Sequence, residues 1–450
     1  MNPFLRYGFL LMLLCLMLVL LAPVLQAQNG STAVPAIACS PSPCKLPNTH
    51  LSRGSGTLST AVNIASSPNN AQHMVVGVTD SNCGPNYGAV YSTTDGGATW
   101  ARNCLPRVDP IYEEAPPALV YGSDNVVHAI TTLINLDDGE DPTVETRSRN
   151  NGVSWSPLTA AGPNPTYSFT SRNDAVLDND PGSPFAGRIY NSVTQDLSDL
   201  EVKIFVSRSN DGGHSWKSAV GLNLDRSRGV LTQGFSHMAI GKGGTLYLTA
   251  MATGDHQNPQ KILFAKSSDG GVTWSAPVRV YDATGVTKIP NTSVYASDSP
   301  VIAVDNSDGP FAGRLYVTFY NFNGTFMQVV ASTSSDDGAT WSTPVAVAPP
   351  TATHDQFQPF VSVSSTGIPA IAWLDRRIDP DNVQYVPLLA FSRDGGATWG
   401  QNIALTTTLS QVSYGSNGPV SAWSGSTLYV VWPFMKDSGP LQEILGGFVP

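Results

Sequence analysis

Ser267-Ser268-Asp269-Gly270-Gly271-Val272-Thr273-Trp274 decides the fold, because the chain writes that octad six times. Thr93 to Trp100 and Ser392 to Trp399 are equally clean copies, and Ser209 to Trp216 and Ser334 to Trp341 keep the same frame. Ser148 to Trp155 carries Asn150 where the others carry Asp95, Asp211, Asp269, Asp336 and Asp394. Each position has a local task. Asp or Asn before Gly accepts backbone amides a residue or two further on, and Gly takes the positive φ that such a turn needs. The leading Ser or Thr hydroxyl closes a second local bond. Trp100, Trp155, Trp216, Trp274, Trp341 and Trp399 each offer a large ring to bury between neighbouring units. A catalytic group is built once, whereas a sharp turn written six times marks architecture. The tryptophans recur at the spacing of a four-stranded unit, as in a radial β array.

Composition agrees with many short strands and turns. The 450 residues include 41 Gly and 34 Pro, and only 13% are charged. A net charge of -10 argues against nucleic acid as a partner. Arg6 precedes an apolar run from Phe9 to Leu21, and Ala27 closes a small-residue cleavage pattern, so residues 1–27 read as a signal peptide and the mature chain as secreted or held at the cell surface. Only that segment would meet a membrane. Cys15 leaves with it. Cys39, Cys44, Cys83 and Cys104 remain, an even number that reads as two disulfides with three possible connectivities. Their spacing does not suit zinc, and no metal or cofactor is expected.

Residues 28–55 are rich in Ser, Pro and Ala and read as an arm. From residue 56 to 450 the pattern is all-β. Each octad lies between two short apolar strands and so turns a hairpin, and a second strand pair precedes each hairpin, as in Val62 to Ala65 with Met74 to Gly77. A seventh such pair, Pro419 to Ala422 with Thr427 to Trp432, follows the last octad. Seven inner pairs and six octads predict a β-propeller of seven four-stranded blades, with six blades and a C-terminal extension as the alternative. The last blade would take its outer strand from the N-terminal region near Leu51 to Ser59, closing the ring and leaving no exposed edge.

On these octads, the chain resembles the Asp-box (BNR-repeat) sialidase-like propellers of secreted bacterial proteins. Pro184-Phe185-Ala186-Gly187-Arg188-Ile189-Tyr190, its near copy Pro310 to Tyr316, and Trp373-Leu374-Asp375-Arg376-Arg377 carry the resemblance further. It implies glycoside hydrolysis in which arginine forks hold a sugar carboxylate, an Asp protonates the leaving group and a Tyr is the nucleophile. The first inner strand departs from the family pattern: it reads Ala61-Val62-Asn63-Ile64-Ala65-Ser66, without Arg-Ile-Pro.

In a propeller the Asp-box turns lie on the face opposite the usual site. Sorting polar residues onto the site face gives Arg172, Arg228, Arg376 and Arg377 as candidates for a substrate carboxylate. Asp174 and Asp375 are the acid candidates and Tyr414 the nucleophile candidate. Glu113-Glu114 reads as an exposed acidic loop, and His237 and His354 as isolated histidines without a catalytic role. The turns Asp178 to Gly182 and Asp305 to Gly309 lack the downstream acid of a calcium loop and read as ordinary turns. Two functions follow: a monomeric exo-glycosidase acting on terminal sialic acid or a related glycan, and a non-catalytic propeller that binds a glycoconjugate or a cell-surface protein.

Overall fold

The structure, a computed structural model, describes residues 44–449 apart from 52–57, 85–87, 108–111, 136–140, 163–169, 199–200, 226–229, 232–235, 255–259, 295, 297–299, 413–417 and 436–441. The signal segment and Cys39 lie outside the described residues. Seven antiparallel sheets follow one another along the chain, and the fold is a seven-bladed, all-β propeller. The inner strands of blades 1 to 7 are Leu58–Ser66, Ala118–Tyr121, Thr170–Leu177, Ser236–Ile240, Val301–Val304, Gln356–Val363 and Val420–Ser424. In blade 2 the short strand Tyr112–Glu114 precedes the inner strand and pairs with the same neighbour.

Burial explains why the blades stay together. Buried apolar clusters join each blade to the next at all seven joints, with two of them at joint 5/6. Val75, Val90 and Leu105 of blade 1 meet Leu119, Val127 and Ala129 of blade 2. At the far end of the chain, Met74, Val76 and Tyr91 of blade 1 meet Val420, Val431 and Leu445 of blade 7. Burial on this scale, at ~25 cal/mol per Å² of apolar surface, is what opposes the chain entropy of so many short strands. Each Asp-box tryptophan packs against the joint with the preceding blade: Trp100 at joint 7/1, Trp155 at 1/2, Trp216 at 2/3, Trp274 at 3/4, Trp341 at 4/5 and Trp399 at 5/6. Joint 6/7 has no Asp-box, and Trp423 from the inner strand of blade 7 packs there instead.

The closing strand lies earlier than the sequence reading placed it. Cys44–Lys45 and Thr49–His50, assigned above to the arm, both pair with Gln442–Val449 and form the outer edge of blade 7. Leu58 and Ser59 belong instead to the inner strand of blade 1. A two-piece edge strand with polar residues offers no alternation to read, whereas Leu51 to Ser59 imitates one. Cys83 and Cys104 form a disulfide within blade 1, which excludes the crossed pairings. Cys44 is also disulfide-bonded, to a partner outside the described residues.

Candidate functional site

The two ends of the propeller are built differently. One end carries the hairpins between first and second strands and the Asp-boxes between third and fourth. The other end carries the connections between second and third strands and those between blades. Asp375, at the end of a second strand, lies at this second end, while Asp174 lies midway along an inner strand. Arg228, Tyr414 and the Arg172 side chain lie outside the described residues. The backbone of Arg172 is in the inner strand of blade 3, where the register shifts between Ser171 and Asp174.

Asp375 and Arg377 form one network and Arg376 enters another. Arg377 donates to Asp375 through Nε at 2.8 Å and Nη2 at 2.6 Å, and its backbone amide adds a bond at 2.9 Å. The Trp373 indole donates to the second carboxylate oxygen at 2.8 Å. Asp375 is 0% exposed, so both oxygens are occupied away from solvent. Arg376 is likewise 0% exposed. Its Nη1 donates to the Pro290 carbonyl at 2.7 Å and lies 3.3 Å from the Asp355 carboxylate, while the guanidinium stacks over Phe357 at 5.2 Å. Burial pushes the Arg376 pKa down, against the opposing pull of Asp355. Adjacent letters in sequence thus serve different parts of the fold. Arg377 orders its own blade and, through Asn402 at 3.0 Å, the outer strand, while Arg376 ties the segment around Pro290 to blade 6.

Asp174 lies nearer the axis. It is 7% exposed, and its Oδ2 accepts the Met238 amide at 2.6 Å and stands 3.4 Å from His237 Nδ1. Burial raises the Asp174 pKa, and the His237 charge and the Met238 amide oppose the rise. His237 is half-buried and meets the edge of the Phe360 ring at 5.5 Å. Phe360 belongs to blade 6, two blades away. It also packs against the clusters of joints 7/1 and 5/6, so this ring reaches across the axis.

Backbone geometry sets that aim. The register of the blade 6 inner strand shifts between Phe357 and Phe360, and Gln358 there has φ 52°. Such a bulge re-aims the side chains that follow it. Gly418 of blade 7 packs directly on the distortion, where a Cβ would stand 2.4 Å from the Gln358 carbonyl oxygen. The sequence reading set His237 aside as isolated and did not weigh Phe360. A lone His one residue before the inward-facing Met238 gives no signal of an acid on another blade.

Three other readings meet the structure. Glu114 is buried rather than exposed; its Oε2 accepts the Gly88 amide at 2.5 Å, and burial pushes its pKa up to about 7. The aspartate turns serve blade contacts: Asn179 joins blade 3 to Ser123 and Tyr121 of blade 2, and Asn306 joins blade 5 to Ile240 and Lys242 of blade 4. In the repeated Pro-Phe-Ala-Gly-Arg segments, Arg188 stacks on Phe185 and donates to Gly270 O at 2.9 Å, while Arg314 stacks on Phe311 and donates to Gly395 O at 2.8 Å. Both carbonyls lie in the Asp-box of the following blade.

Comparison with known proteins agrees with this architecture. Residues 189–430 match the family model described as BNR repeat-like domain. The xyloglucanase Xgh74A of Acetivibrio thermocellus is 25% identical over 294 residues, which cover 60% of this chain and 30% of that protein. The chain therefore matches less than a third of the length of that curated relative. Among solved structures, a Dyadobacter fermentans DSM 18053 protein of unknown function superposes with a TM-score of 0.51 at 15% identity, covering 91% of this chain and 99% of its own. The phage phi92 endosialidase superposes with a TM-score of 0.51 at 10% identity, covering 90% of this chain and 69% of its own. At these identities the two structures speak for the fold alone.

Proposed function

The chain belongs to the BNR repeat-like family, and from that premise we propose that it is a glycan-binding propeller whose sugar sits at the axial end of the face bearing Asp174, His237 and Phe360. The observation that carries this reading is the meeting of the Asp174–His237 pair with the Phe360 ring from two blades away. An aromatic ring takes the C–H face of a sugar while a carboxylate and an imidazole take its hydroxyls. The relative named a xyloglucanase and the neighbour named an endosialidase bear, by those names, on xyloglucan and on sialic-acid glycans. A neutral sugar fits the described residues better than a sialoside. Arg376 is enclosed and Arg377 is spent on Asp375, so neither offers its guanidinium fork to a substrate carboxylate. A disulfide supports action outside the cytoplasm, in line with residues 1–27 as an export signal.

Titration calorimetry of the purified chain with a xyloglucan oligosaccharide and with sialyllactose tests the reading. The neutral sugar binds, Phe360→Ala weakens it roughly tenfold (about 1.4 kcal/mol), and a fluorogenic sialoside is not turned over. Absence of binding by either sugar, or binding indifferent to Phe360→Ala, overturns the proposal. A hydrolytic reading has one observation in its favour: the raised pKa of Asp174 suits a general acid. Release of reducing ends from xyloglucan that persists in Asp174→Asn would remove it.

A further inference from the structure

Away from the axis, the flank between blades 6 and 7 is open. Ile403–Ala404, the outer strand of blade 6, has 2 residues, against 6 for Val278–Ala283 of blade 4. So short a strand pairs with only Leu388 and Leu389 of the third strand. The outer strand of blade 7 is also broken, pairing at Cys44–Lys45 and again at Thr49–His50. Between them lies a cavity of about 720 Å³, within the range of small-molecule sites.

We propose that this cavity binds a small amphipathic anion: an apolar body of ring or short acyl size carrying one carboxylate, sulfonate or phosphate. Phe391, Phe448 and Ile403 form the apolar lining, with the two phenylalanine rings 6.4 Å apart. Phe391 is 9% exposed and Phe448 2%, so both rings are fixed by packing against joint 6/7. Lys45 and Arg393 line the same cavity, two cations on one small opening in a chain of net charge -10. Asp394 also lines it, but its carboxylate already accepts Ser392 Oγ at 2.8 Å and the Thr398 amide at 2.9 Å. Those bonds orient the carboxylate into its own turn without removing its charge, so the lining keeps an excess of one positive charge. Partial burial lowers the Lys45 pKa, and the attraction of an anion beside that ammonium would offset the desolvation. Arg393 occupies the second position of its Asp-box, where the turn makes no demand on the side chain. Arg149 fills the same position in blade 2, and Thr94, Asn210, Ser268 and Ser335 fill it in the other four boxes.

The anionic dye 8-anilinonaphthalene-1-sulfonate, titrated against the full chain by fluorescence, tests the assignment, with neutral N-phenyl-1-naphthylamine as the comparison. The wild type binds the anionic dye at one saturable site. Arg393→Glu and Lys45→Glu each weaken it roughly tenfold, the worth of one charge-assisted hydrogen bond, and leave the neutral dye unmoved. Ala404→Trp, a substitution at an exposed position, fills the opening and abolishes both. Circular dichroism confirms that each variant keeps its fold. Anionic-dye affinity unchanged in folded Ala404→Trp, equal losses of both dyes on charge reversal, or no binding by the wild type would overturn the proposal.

Discussion

Blade 6 and blade 7 complete the same four-stranded sheet by different means. Blade 6 turns back on itself through Ser392 to Trp399, so its outer strand follows its third strand directly. Blade 7 has no such turn and receives its outer strand from residues 44–50, at the other end of the chain. The first solution is local: Ser392 donates to Asp394, Asp394 accepts the Thr398 amide, and Trp399 packs at joint 5/6. The second depends on long-range contacts. Leu46 N donates to Gly447 O at 2.7 Å, Asn48 Nδ2 donates to Leu405 O at 3.0 Å in blade 6, and Leu46 packs into joint 7/1. The Asp-box thus stabilises a hairpin, and where no hairpin is needed the chain does without it. Ring closure rests on whichever blade lacks the box.

Breaking the long-range closure should have the largest effect. Deletion of residues 44–50 strips the outer strand from Gln442–Val449 and uncovers joint 7/1. An open edge of this kind recruits other chains. Size-exclusion chromatography is expected to show soluble aggregate in place of a single species, with stability lowered by at least ~3 kcal/mol, the order of losing one large core side chain. A monodisperse deletion variant with unchanged urea midpoint would mean that closure lies elsewhere.

The next comparison concerns the tryptophans. Trp432 is 0% exposed in the second strand of blade 7, while Trp341 of the blade 5 Asp-box is only partly buried. Trp432→Ala should cost ~3–5 kcal/mol in urea unfolding and Trp341→Ala about half as much, since the transfer and cavity costs scale with the surface enclosed. Equal losses would show that the Asp-box ring does more than pack. Smaller still is the bridge from the Pro184 to Arg188 segment to the next blade's Asp-box. Arg188→Ala removes one hydrogen bond to the following blade and the stacking on Phe185 within its own segment, for an expected ~1–2 kcal/mol by the same measurement.

These differences also explain what the sequence could disclose. The octads, the seventh strand pair and the blade count follow from periodicities of a few residues, which survive in a single sequence. The outer strand at Cys44 to His50 does not, because it is defined by a partner some 400 residues away and carries no alternation of its own. The site divides in the same way. Asp174 and Asp375 are polar residues beside apolar strand segments and could be picked out as candidates. Whether they face solvent could not be seen: Asp375 is enclosed by Trp373 and Arg377, while Asp174 meets a histidine from the next blade. Phe360 reaches the axis through a bulge at Gln358, and local letters do not announce a re-aimed side chain.

The smallest expected effect separates one Asp-box from another. Blade 2 uses Asn150, whose Oδ1 accepts Ser148 Oγ at 2.8 Å and the Ser154 amide at 2.9 Å, as the aspartates do. Its Nδ2 donates to Ser154 Oγ at 2.9 Å, whereas in blade 5 the Thr340 hydroxyl donates to Asp336. The polarity of one hydrogen bond is reversed and the turn is kept. At neutral pH, Asp336→Asn should therefore leave Tm within about 2 °C of wild type. Acid should reveal the difference. Bonds from the Thr340 hydroxyl and amide hold the Asp336 pKa at about 2, below the ordinary aspartate value of about 3.9. A group depressed in the folded state contributes its stability above the unfolded pKa and loses it as pH falls through the folded one. Wild type should then lose stability between pH ~4 and ~2 that Asp336→Asn does not lose at that turn, and the Tm gap between them should move in favour of the variant across this window. A gap that stays constant from pH 7 to pH 2 would mean that the carboxylate charge contributes nothing and that Asp and Asn are equivalent in this turn.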